Sequence, residues 1–483
     1  MDVVVGLDSG TTATKAVTAG VDGQVRDVVQ VAQSAQTPTE LDARQVQRDC
    51  VAALTEIAAC AARRGDPVVG VSLSAAMHGL VPLDADGVPQ GPLLTWADTS
   101  AEGHAAQVRE RAPGLHERTG TPVHAMSPLV KLARLSASDG EHVRRVPRWG
   151  GVKELQLAAL CGRPDVVDAS SASATGLRGD VAWDEEALGL AGVRASQLAD
   201  VVTTTTALPL TADVPGLPRG LPVVVGASDG GMANVGTGAV RDGDIAVSLG
   251  TSGALRAVVR SRVHDARLFR YVLTEHRWIV GGAVSNAGSA LKWAVSALGA
   301  ADVAELLDEA GAVPAGSDGL LCLPYLLGER APQWRDGVSG ALLGLRQSHG
   351  RGHLARALVE GACQQLALVA DALQDVGLPV HAVRATGGAL EHPVWPATLA
   401  SALAVPVHVC EPSAGTALGA ALLGWHAVGG IADLDDVASL VQVAHVVEPQ
   451  PDDAARYRAL RPRVQRAADA VADVTRPVGQ IGT

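Results

Sequence analysis

Residues 3–18 read VVVGLDSGTTATKAVT, and this stretch decides the fold class. An apolar run over 3–7 is followed by a turn of small and polar residues over 8–12, and then by a second run over 14–18 with alternating apolar and polar residues. A further turn signal and a third apolar run over 25–31 come next. This spacing predicts a β-meander of three strands joined by tight turns.

The same layout returns near the middle of the 483 residues, where 244–259 read DIAVSLGTSGALRAVV. Two hairpins with small-residue turns, about 240 residues apart, indicate an internal duplication. Helical and strand patterns alternate after each hairpin, which predicts α/β structure in both halves. In chain order these patterns are helix 44–64, strand 68–73, helix 352–373, strand 380–385, helix 393–403 and strand 405–409. We expect two domains, 1–242 and 243–483.

Composition excludes several function classes. A formal net charge of -12 argues against sequence-independent binding of nucleic acid. Apolar runs such as 417–425 are shorter than the roughly 18 residues of a membrane span, and the N-terminus has no signal-peptide pattern. The six cysteines form no CxxC pair, so neither a disulfide framework nor a zinc site is indicated. We expect a cytoplasmic protein with six buried thiols and neither nucleic acid nor membrane as a partner.

Lysines and aromatic residues are scarce. Of the 39 basic residues four are lysines, at 15, 131, 153 and 292, and the other 35 are arginines. Codon bias explains the excess of arginine. A compact ammonium is nevertheless not interchangeable with a planar guanidinium at a phosphate or a small acid, so the four lysines are candidates for function.

Three glycine-rich turns could bind phosphate. They are 8–12 with Lys15 following, 250–253, and 386–389. Converging backbone N–H groups with no Cβ nearby bind anions well, and hydroxyls and a lysine add donors. None matches the Walker A or the Rossmann pattern, and each alone is compatible with an ordinary tight turn. Together, in a duplicated layout, they favour a nucleotide held between two lobes.

The segment 223–231, VVVGASDGG, fits two chemistries. A buried strand runs into a glycine turn, and Asp229 at its end could accept a proton from a substrate hydroxyl. The same residues match G-x-S-x-G, the nucleophile elbow of a serine hydrolase, with Ser228 as nucleophile. A plain helix N-cap is a third interpretation. We favour Asp229 as a base, because the hydrolase interpretation leaves the phosphate-like turns unused.

Ten segments together resemble the FGGY family of carbohydrate kinases, which is part of the actin-like, hexokinase-like superfamily. They are GLDSGTTATKA (6–16), SAAMHGLVPLDADG (74–87), LTWADT (94–99), TGTPVHAMSPLVKL (119–132), VGASDGG (225–231), LGTSGALR (249–256), PYLLGERAP (324–332), GALLGLRQSHGRGHLARALVEG (340–361), TGGAL (386–390) and PSAGTALGAALL (412–423). Within the family, 119–132 and 250–256 are most similar to gluconate kinases.

The resemblance implies a fold and a reaction. The fold is α/β, a two-lobed actin-like/hexokinase-like (ribonuclease H-like) duplicated fold with a central cleft. The reaction is ATP- and Mg²⁺-dependent phosphorylation of a sugar acid, D-gluconate to 6-phosphogluconate, with a homodimer as a further expectation. A xylulokinase or another pentulose or polyol kinase is the alternative. A serine hydrolase acting through Ser228 and a catalytically silent sugar-binding protein are less favoured.

The resemblance also implies roles for nucleotide and metal residues. Asp8 matches the acid that orients Mg²⁺ on the phosphates, directly or through water. The expected ATP contacts are Thr11, Thr12 and Lys15 in the first phosphate loop, Gly250 and Thr251 in the second, Gly288 and Lys292 near the nucleotide, and Gly388 and His392 at the adenosine.

On the sugar side, Asp229 resembles the catalytic base. Met77 and His78 occupy the pair that faces the polyol in the family, and Trp96 and Asp98 follow on the next loop. Trp96 could offer the sugar an apolar face or simply pack in the core.

A sugar acid carries a carboxylate, which calls for a cation or another donor in its site. Lys131 is the first candidate, Lys153 the second, and His78 could serve through one ring nitrogen. One departure from the family bears on this choice. An arginine usually stands two residues after the acid at Asp98, but this chain has Ser100 there. The loss of a cation near the sugar loop also fits an altered substrate preference.

Overall fold

The computed structural model describes residues 1–33, 37, 39–335, 337–411 and 415–474. They form two compact units. As far as they are described, the first unit comprises Met1–Arg241, Val258–Ile279 and Ser413–Gln442, and the second comprises Asp242–Ala257, Val280–Pro412 and Val443–Thr483. The first change of unit lies one residue before the predicted boundary of 242/243. Two segments from the later half of the chain also belong to the first unit.

Strands and helices alternate along most of the chain. The strands are β1 Val3–Ser9, β2 Ala13–Ala19, β3 Val25–Ala32, β4 Glu40–Leu41, β5 Val68–Ala75, β6 Val81–Leu83, β7 Leu93–Leu94, β8 Arg148–Gly150, β9 Val166–Asp168, β10 Asp200–Val202, β11 Ala207–Pro209, β12 Pro222–Ser228, β13 Asp244–Leu249, β14 Gly253–Val259, β15 Phe269–Thr274, β16 Arg277–Val284, β17 Leu321–Leu323, β18 Ala341–Leu343, β19 Ala382–Thr386, β20 Val407–Cys410 and β21 Val443–Val447.

The helices are α1 Ala43–Arg64, α2 Glu102–Arg111, α3 Leu115–Thr119, α4 Pro128–Arg145, α5 Val152–Cys161, α6 Ala169–Ser173, α7 Glu185–Ala191, α8 Asp229–Thr237, α9 Gly288–Leu298, α10 Val303–Gly311, α11 Arg351–Asp375, α12 Val394–Leu403, α13 Thr416–Ala427, α14 Val437–Leu440 and α15 Pro451–Val474. Short 3-10 turns occur at Ala195–Gln197, Ser317–Gly319, Gly388–Glu391 and Leu434–Asp436.

The sheet of the first unit has the strand order β11-β12-β5-β1-β2-β3. The meander predicted from the opening residues is confirmed, since β1 pairs antiparallel with β2 and β2 antiparallel with β3. Strands β1, β5 and β12 are mutually parallel neighbours, so their carboxyl ends lie at the same edge of the sheet. In open α/β sheets this edge is where ligands bind.

The second unit repeats this plan. Strand β13 forms an antiparallel hairpin with β14 and pairs in parallel with β19, which in turn pairs in parallel with β20. The long helix α11 is buried along most of its length, and Leu366, Val369 and Leu373 lie in the core. The predicted duplicated α/β organisation is therefore confirmed.

Two helices of the first unit approach each other through glycines. A Cβ at Gly236 of α8 would lie 1.9 Å from the carbonyl oxygen of Gly415, and one at Gly419 of α13 would lie 2.0 Å from that of Met232. A Cβ at Gly6 of β1 would likewise lie 1.9 Å from the carbonyl oxygen of Ala417. Because backbone atoms cannot give way as a flexible side chain can, helix α13 needs glycine at these contacts.

None of the helices within the described residues is long and apolar enough to cross a membrane. All six cysteines lie in the part of the chain that the structure describes, and none is in a disulfide; five are buried and Cys60 is half-buried. The expectation of six buried thiols is therefore wrong at Cys60, which lies near the C-terminal end of α1.

We predict that Gly419→Ala lowers the free energy of unfolding by about 3 kcal/mol or more, because the added methyl overlaps the backbone of α8. Urea unfolding measures this change. Gly189→Ala in α7 is the matched control, since nothing lies within 4 Å of a Cβ there. The control should stabilise the protein by about 0.5–1 kcal/mol through helix propensity. Equal effects of the two substitutions would contradict the close packing.

Candidate active site

Asp229 is the first residue of α8 and directly follows strand β12. Its Oδ1 accepts hydrogen bonds from the backbone N–H of Gly230 at 2.8 Å and from that of Met77 at 3.3 Å. The side chain is partly exposed. A helix N-terminus and N–H donors both favour the ionised carboxylate, which is the form that a general base needs.

A backbone irregularity shapes the strand before Asp229. The pairing of β12 with β5 shifts register between Val224 and Ala227. Gly226 lies between them with φ of 74°, and a Cβ there would be 1.7 Å from the carbonyl oxygen of Leu73. Only glycine fits this conformation at this contact. The bulge therefore sets where the strand ends and where α8 begins.

Ser228 has the geometry of a helix cap. It is 0% exposed, and its Oγ lies 2.8 Å from Ser170 Oγ and accepts from the N–H of Gly231 at 3.5 Å. A nucleophile elbow presents its serine Oγ to solvent. The buried, capping hydroxyl argues against the hydrolase interpretation of 226–230.

Asp8 lies one residue before the end of β1, and both of its oxygens are hydrogen-bonded. Ser74 Oγ donates to Oδ1 at 2.6 Å, and Thr416 Oγ1 donates to Oδ2 at 2.5 Å. Burial raises the pKa of the Asp8 carboxyl, and these two hydrogen bonds and the charge of Lys15 oppose the rise. Sequence reasoning missed Ser74 and Thr416. Thr416 belongs to the segment 412–423, of which 412–414 lie outside the described residues.

The first predicted phosphate loop is a tight hairpin turn. The N–H of Gly10 donates to the carbonyl of Ala13 at 3.0 Å, and Thr11 and Thr12 lie at the turn with Thr12 exposed. Lys15 stands directly opposite Asp8 in the antiparallel pairing. The structure thus brings Asp8 and Lys15 of this predicted group together.

Met77 and His78 follow the carboxyl end of β5. His78 has φ of 66°, a left-handed backbone conformation that is uncommon for residues other than glycine. Its Nδ1 lies 2.9 Å from the carbonyl oxygen of Ala174, and its ring packs edge-on against Tyr271 with centroids 6.0 Å apart. Since a carbonyl can only accept, Nδ1 carries the proton, and Nε2 is the acceptor of the neutral ring.

Trp96 and Asp98 lie on the loop after β7. Trp96 is half-buried, whereas Asp98 is buried with its Oδ1 accepting from the N–H of Ser100 at 3.0 Å. Asp98 Oδ2 is buried too, and it accepts no hydrogen bond from the part of the chain that the structure describes. Ser100, which replaces the family's arginine, is exposed. Its backbone contact closes the turn that presents Asp98.

Lys131 connects the two sugar-side loops from within α4. Its side chain is 0% exposed, and Nζ donates to the carbonyl of His78 at 2.9 Å and to that of Thr95 at 2.5 Å. Burial lowers the pKa of Lys131 to about 7, and the charge of Asp98 opposes this. These contacts give Lys131 a positioning role. Its predicted direct contact with a substrate carboxylate stays a prediction.

In the second unit, the structure brings three of the predicted nucleotide residues together. The N–H of Gly288 donates to the carbonyl of Gly250 at 2.9 Å, and that of Ser289 donates to the carbonyl of Thr251 at 3.0 Å. A Cβ at Gly288 would lie 2.7 Å from the Gly250 oxygen. The hairpin turn at 250–251 is therefore fused to the N-terminus of α9.

The remaining predicted nucleotide residues lie on separate elements. Lys292 is exposed one turn into α9. Gly388 is exposed where the 3-10 turn begins, and the preceding Gly387 lies so close to β13 that a Cβ there would be 2.0 Å from the carbonyl oxygen of Leu249. His392 Nε2 is 3.2 Å from Asp308 Oδ1. Contacts of Gly388 and His392 with adenosine stay predictions.

Glu329 holds the backbone next to the predicted nucleotide residues of the second unit. Sequence reasoning missed Glu329. Its buried Oε1 accepts from the N–H of Ser285 at 2.6 Å and from that of Arg330 at 2.8 Å. Asn286, next to Ser285, donates to the carbonyl of Gly328 at 2.8 Å. These bonds tie the loop at 328–330 to the residues that lead into Gly288.

We predict that Lys131 makes the free energy of unfolding rise with pH. The folded pKa of about 7 lies below the unfolded value of 10.5, so between these pH values only the unfolded chain holds the extra proton. Unfolding then becomes harder as pH increases, and this contribution is lost as pH falls through 7. From pH 6 to pH 10, wild type should gain about 2–4 kcal/mol relative to Lys131→Met in urea unfolding. If the free energy of unfolding changed with pH equally in the two proteins, Lys131 would not be buried as described.

Two sequence-family models match the chain. The FGGY family of carbohydrate kinases, N-terminal domain, matches residues 3–236, and its C-terminal domain matches 245–428. Among curated proteins, the gluconokinase of Bacillus subtilis (strain 168) is 35% identical, covering 95% of this chain and 94% of its own length. The xylulose kinase of the same organism is 25% identical, covering 95% of each chain.

Solved structures agree with these matches. A gluconate kinase from Lactobacillus acidophilus superposes with a TM-score of 0.90 at 30% identity, covering 98% of each chain. A ligand-bound xylulose kinase from the same organism also has a TM-score of 0.90, at 29% identity, covering 98% of this chain and 99% of its own. The chain therefore belongs to the FGGY family of carbohydrate kinases, and it is a phosphotransferase with an alcohol group as acceptor.

Proposed function

We propose that this kinase transfers the γ-phosphoryl group of ATP to a hydroxyl of D-gluconate, giving 6-phosphogluconate and ADP, with Asp229 as general base. The observation that carries the reaction is the partly exposed Asp229 carboxylate at a helix N-terminus, held by N–H groups of Gly230 and Met77. The choice of gluconate rests on the relatives, since the gluconokinase is 35% identical and the xylulose kinase 25% at equal coverage.

In this mechanism the oxygen of the substrate hydroxyl forms a bond to the γ-phosphorus, and Asp229 accepts the proton that this hydroxyl loses. The bond from phosphorus to the bridging oxygen of ADP breaks, and the proton later passes from Asp229 to water. Thr11, Thr12 and Lys15, with Gly250 and Thr251, are the donors that we propose for the phosphates. Phosphoryl transfer depends mainly on such positioning and charge stabilisation.

The residues around Asp8 fit a magnesium ion. Mg²⁺ prefers oxygen ligands and keeps several waters, and Asp8 presents a carboxylate beside the hydroxyls of Ser74 and Thr416. Asp8 would hold the ion directly or through water. When bound, Mg²⁺ neutralises negative charge on the phosphates.

For the sugar acid we propose a site made of Met77, His78, Trp96 and Asp98. Asp98 Oδ2 is a buried acceptor suited to a substrate hydroxyl. Lys131 already donates to two carbonyls. We therefore propose the His78 ring, in its protonated form, as the donor to the substrate carboxylate. We propose a cytoplasmic location, where ATP is available and unpaired thiols persist; a homodimer stays an expectation.

A pentulose kinase is the second candidate. Ser100 replaces the family's arginine beside the sugar loop, and the xylulose kinase structure has the same TM-score of 0.90 as the gluconate kinase structure.

We predict that Asp229→Asn lowers kcat by at least ~10²–10⁴-fold, because the amide cannot accept the hydroxyl proton. Dissociation constants for ATP and gluconate, measured by calorimetry, should stay within about threefold of wild type. Ser228→Ala is the neighbouring control and should keep far more activity, since Ser228 acts as a cap. Near-normal turnover of the asparagine variant would remove Asp229 from the mechanism.

We predict that ADP release shows the highest kcat/KM with gluconate in a panel that also contains D-xylulose, ribulose, glycerol and L-fuculose. A higher value with a pentulose would select the alternative kinase. ADP formation with no member of the panel would favour a silent binding protein. Labelling of Ser228 by a fluorophosphonate probe would support the serine hydrolase interpretation instead.

A further inference from the structure

Helix α5 contacts the carboxyl ends of β1, β5 and β12 through its buried polar side chains. We propose that its Lys153 is a positioning residue that sets the carboxyl end of β12, and with it Asp229, and that Gln156 does the same for β1 and Asp8. This inference rests on the proposed role of Asp229 as the base. It assigns no substrate contact to either residue, since the donors of both side chains are engaged within the protein.

Lys153 binds three backbone oxygens at the bulge of β12. Its Nζ donates to the carbonyl of Val225 at 2.5 Å, to that of Leu73 at 3.2 Å and to that of Ala227 at 3.4 Å. The register shift between Val224 and Ala227 leaves Val225 and Leu73 outside the pairing of β12 with β5. Buried carbonyls without donors are costly, so the bulge needs a group that supplies several hydrogens at one point.

An ammonium group meets that requirement. It carries three donors in a compact tetrahedral head, whereas a guanidinium is a planar fork made for two parallel acceptors. This chain uses arginine at 35 of its 39 basic positions, yet it has lysine here. Lys153 was also a candidate for binding the substrate carboxylate; its three acceptors and 2% exposure instead assign it to the backbone.

Asp168 supplies the opposite charge and connects this cation to Ser228. Asp168 Oδ2 is 3.6 Å from Lys153 Nζ, and Oδ1 accepts from the N–H of Ser171 at 2.7 Å, which caps α6. In α6, Ser170 Oγ lies 2.8 Å from Ser228 Oγ and accepts from the N–H of Ser228 at 3.3 Å. The residue directly before Asp229 is therefore held through α6 as well as through the bulge.

Gln156 lies one turn after Lys153 and serves the neighbouring strands. Its Nε2 donates to the carbonyl of Ser74 at 2.8 Å and to Ser9 Oγ at 3.0 Å. Ser74 Oγ in turn donates to Asp8. Lys153 and Gln156 thus contact the ends of all three parallel strands. Asp8 lies in β1, Met77 follows β5 and Asp229 follows β12.

The closing experiment compares Lys153→Met with Arg356→Met at a temperature where both are folded. Arg356 is the matched control, a buried cation in the second unit that donates to Glu360 and Tyr457. We expect Lys153→Met to lose ~10–100-fold in kcat, because sub-ångström to 1 Å shifts of a base have effects of this size. Its Kd for ATP and for gluconate should change less than about threefold, and Arg356→Met should keep its kcat.

A second readout separates positioning from stability. The acidic limb of the kcat–pH profile reports the base, and it should move to higher pH in Lys153→Met, because Asp229 loses part of its contact with the Met77 N–H. Arg356→Met should leave this limb in place. If Lys153→Met does not fold, Lys153→Gln, which keeps two donors, is measured in the same way. Failure of both to fold would assign Lys153 a purely structural role and overturn the inference.

The outcomes distinguish this inference from the proposed function. Normal kcat and an unmoved acidic limb in Lys153→Met, with Asp229→Asn inactive, would overturn the positioning role alone. Full turnover in Asp229→Asn would overturn the base assignment itself, whatever the lysine variant does.

Discussion

The first unit depends on a contact between one buried ammonium and the backbone of two strands. Lys153 meets three carbonyl oxygens at the place where β12 departs from regular pairing with β5. Without the register shift, the residues of β12 after Val224 would pair one position further along β5, and Ala227 would not stand opposite Ser74. The bulge, Gly226 and Lys153 together allow β12 to be followed directly by α8. This leaves Asp229 at the N-terminus of α8, where a carboxylate is stabilised.

Burial of a cation is costly, and two lysines of this unit are almost fully buried. Desolvation lowers the pKa of both Lys131 and Lys153. A neutral amine still has two hydrogens to donate, which is the number of carbonyls that Lys131 contacts. Lys153 contacts three and has Asp168 beside it, which favours the charged form. Each lysine thus offers as many donors as its loop or bulge presents acceptors.

The sequence was sufficient for the hairpins, their repetition and the α/β pattern, because these depend on local alternation and turn residues. It was also sufficient for Asp229 as a candidate, since an acid at the end of an apolar strand is visible in a single segment. The role of Asp8 came from the resemblance to the family. The partners of these acids were not visible. Thr416 is 408 residues from Asp8, and nothing in its own segment shows that its hydroxyl reaches that carboxylate. The burial of Lys131 and Lys153 was not visible for the same reason, because charge alone does not tell which way a side chain points.

Helix α13 has a consequence for how the protein is made. It packs against β1, β5 and α8, and it is encoded far downstream of all three. A ribosome adding about 5–20 residues per second needs roughly 10–40 s to pass from the end of α8 to the end of α13. During that interval Gly6 of β1 lacks the helix α13 that packs against it in the folded unit. The first unit, although it contains the N-terminus, is therefore completed only when most of the second has been synthesised, and chaperones have that long to act on it.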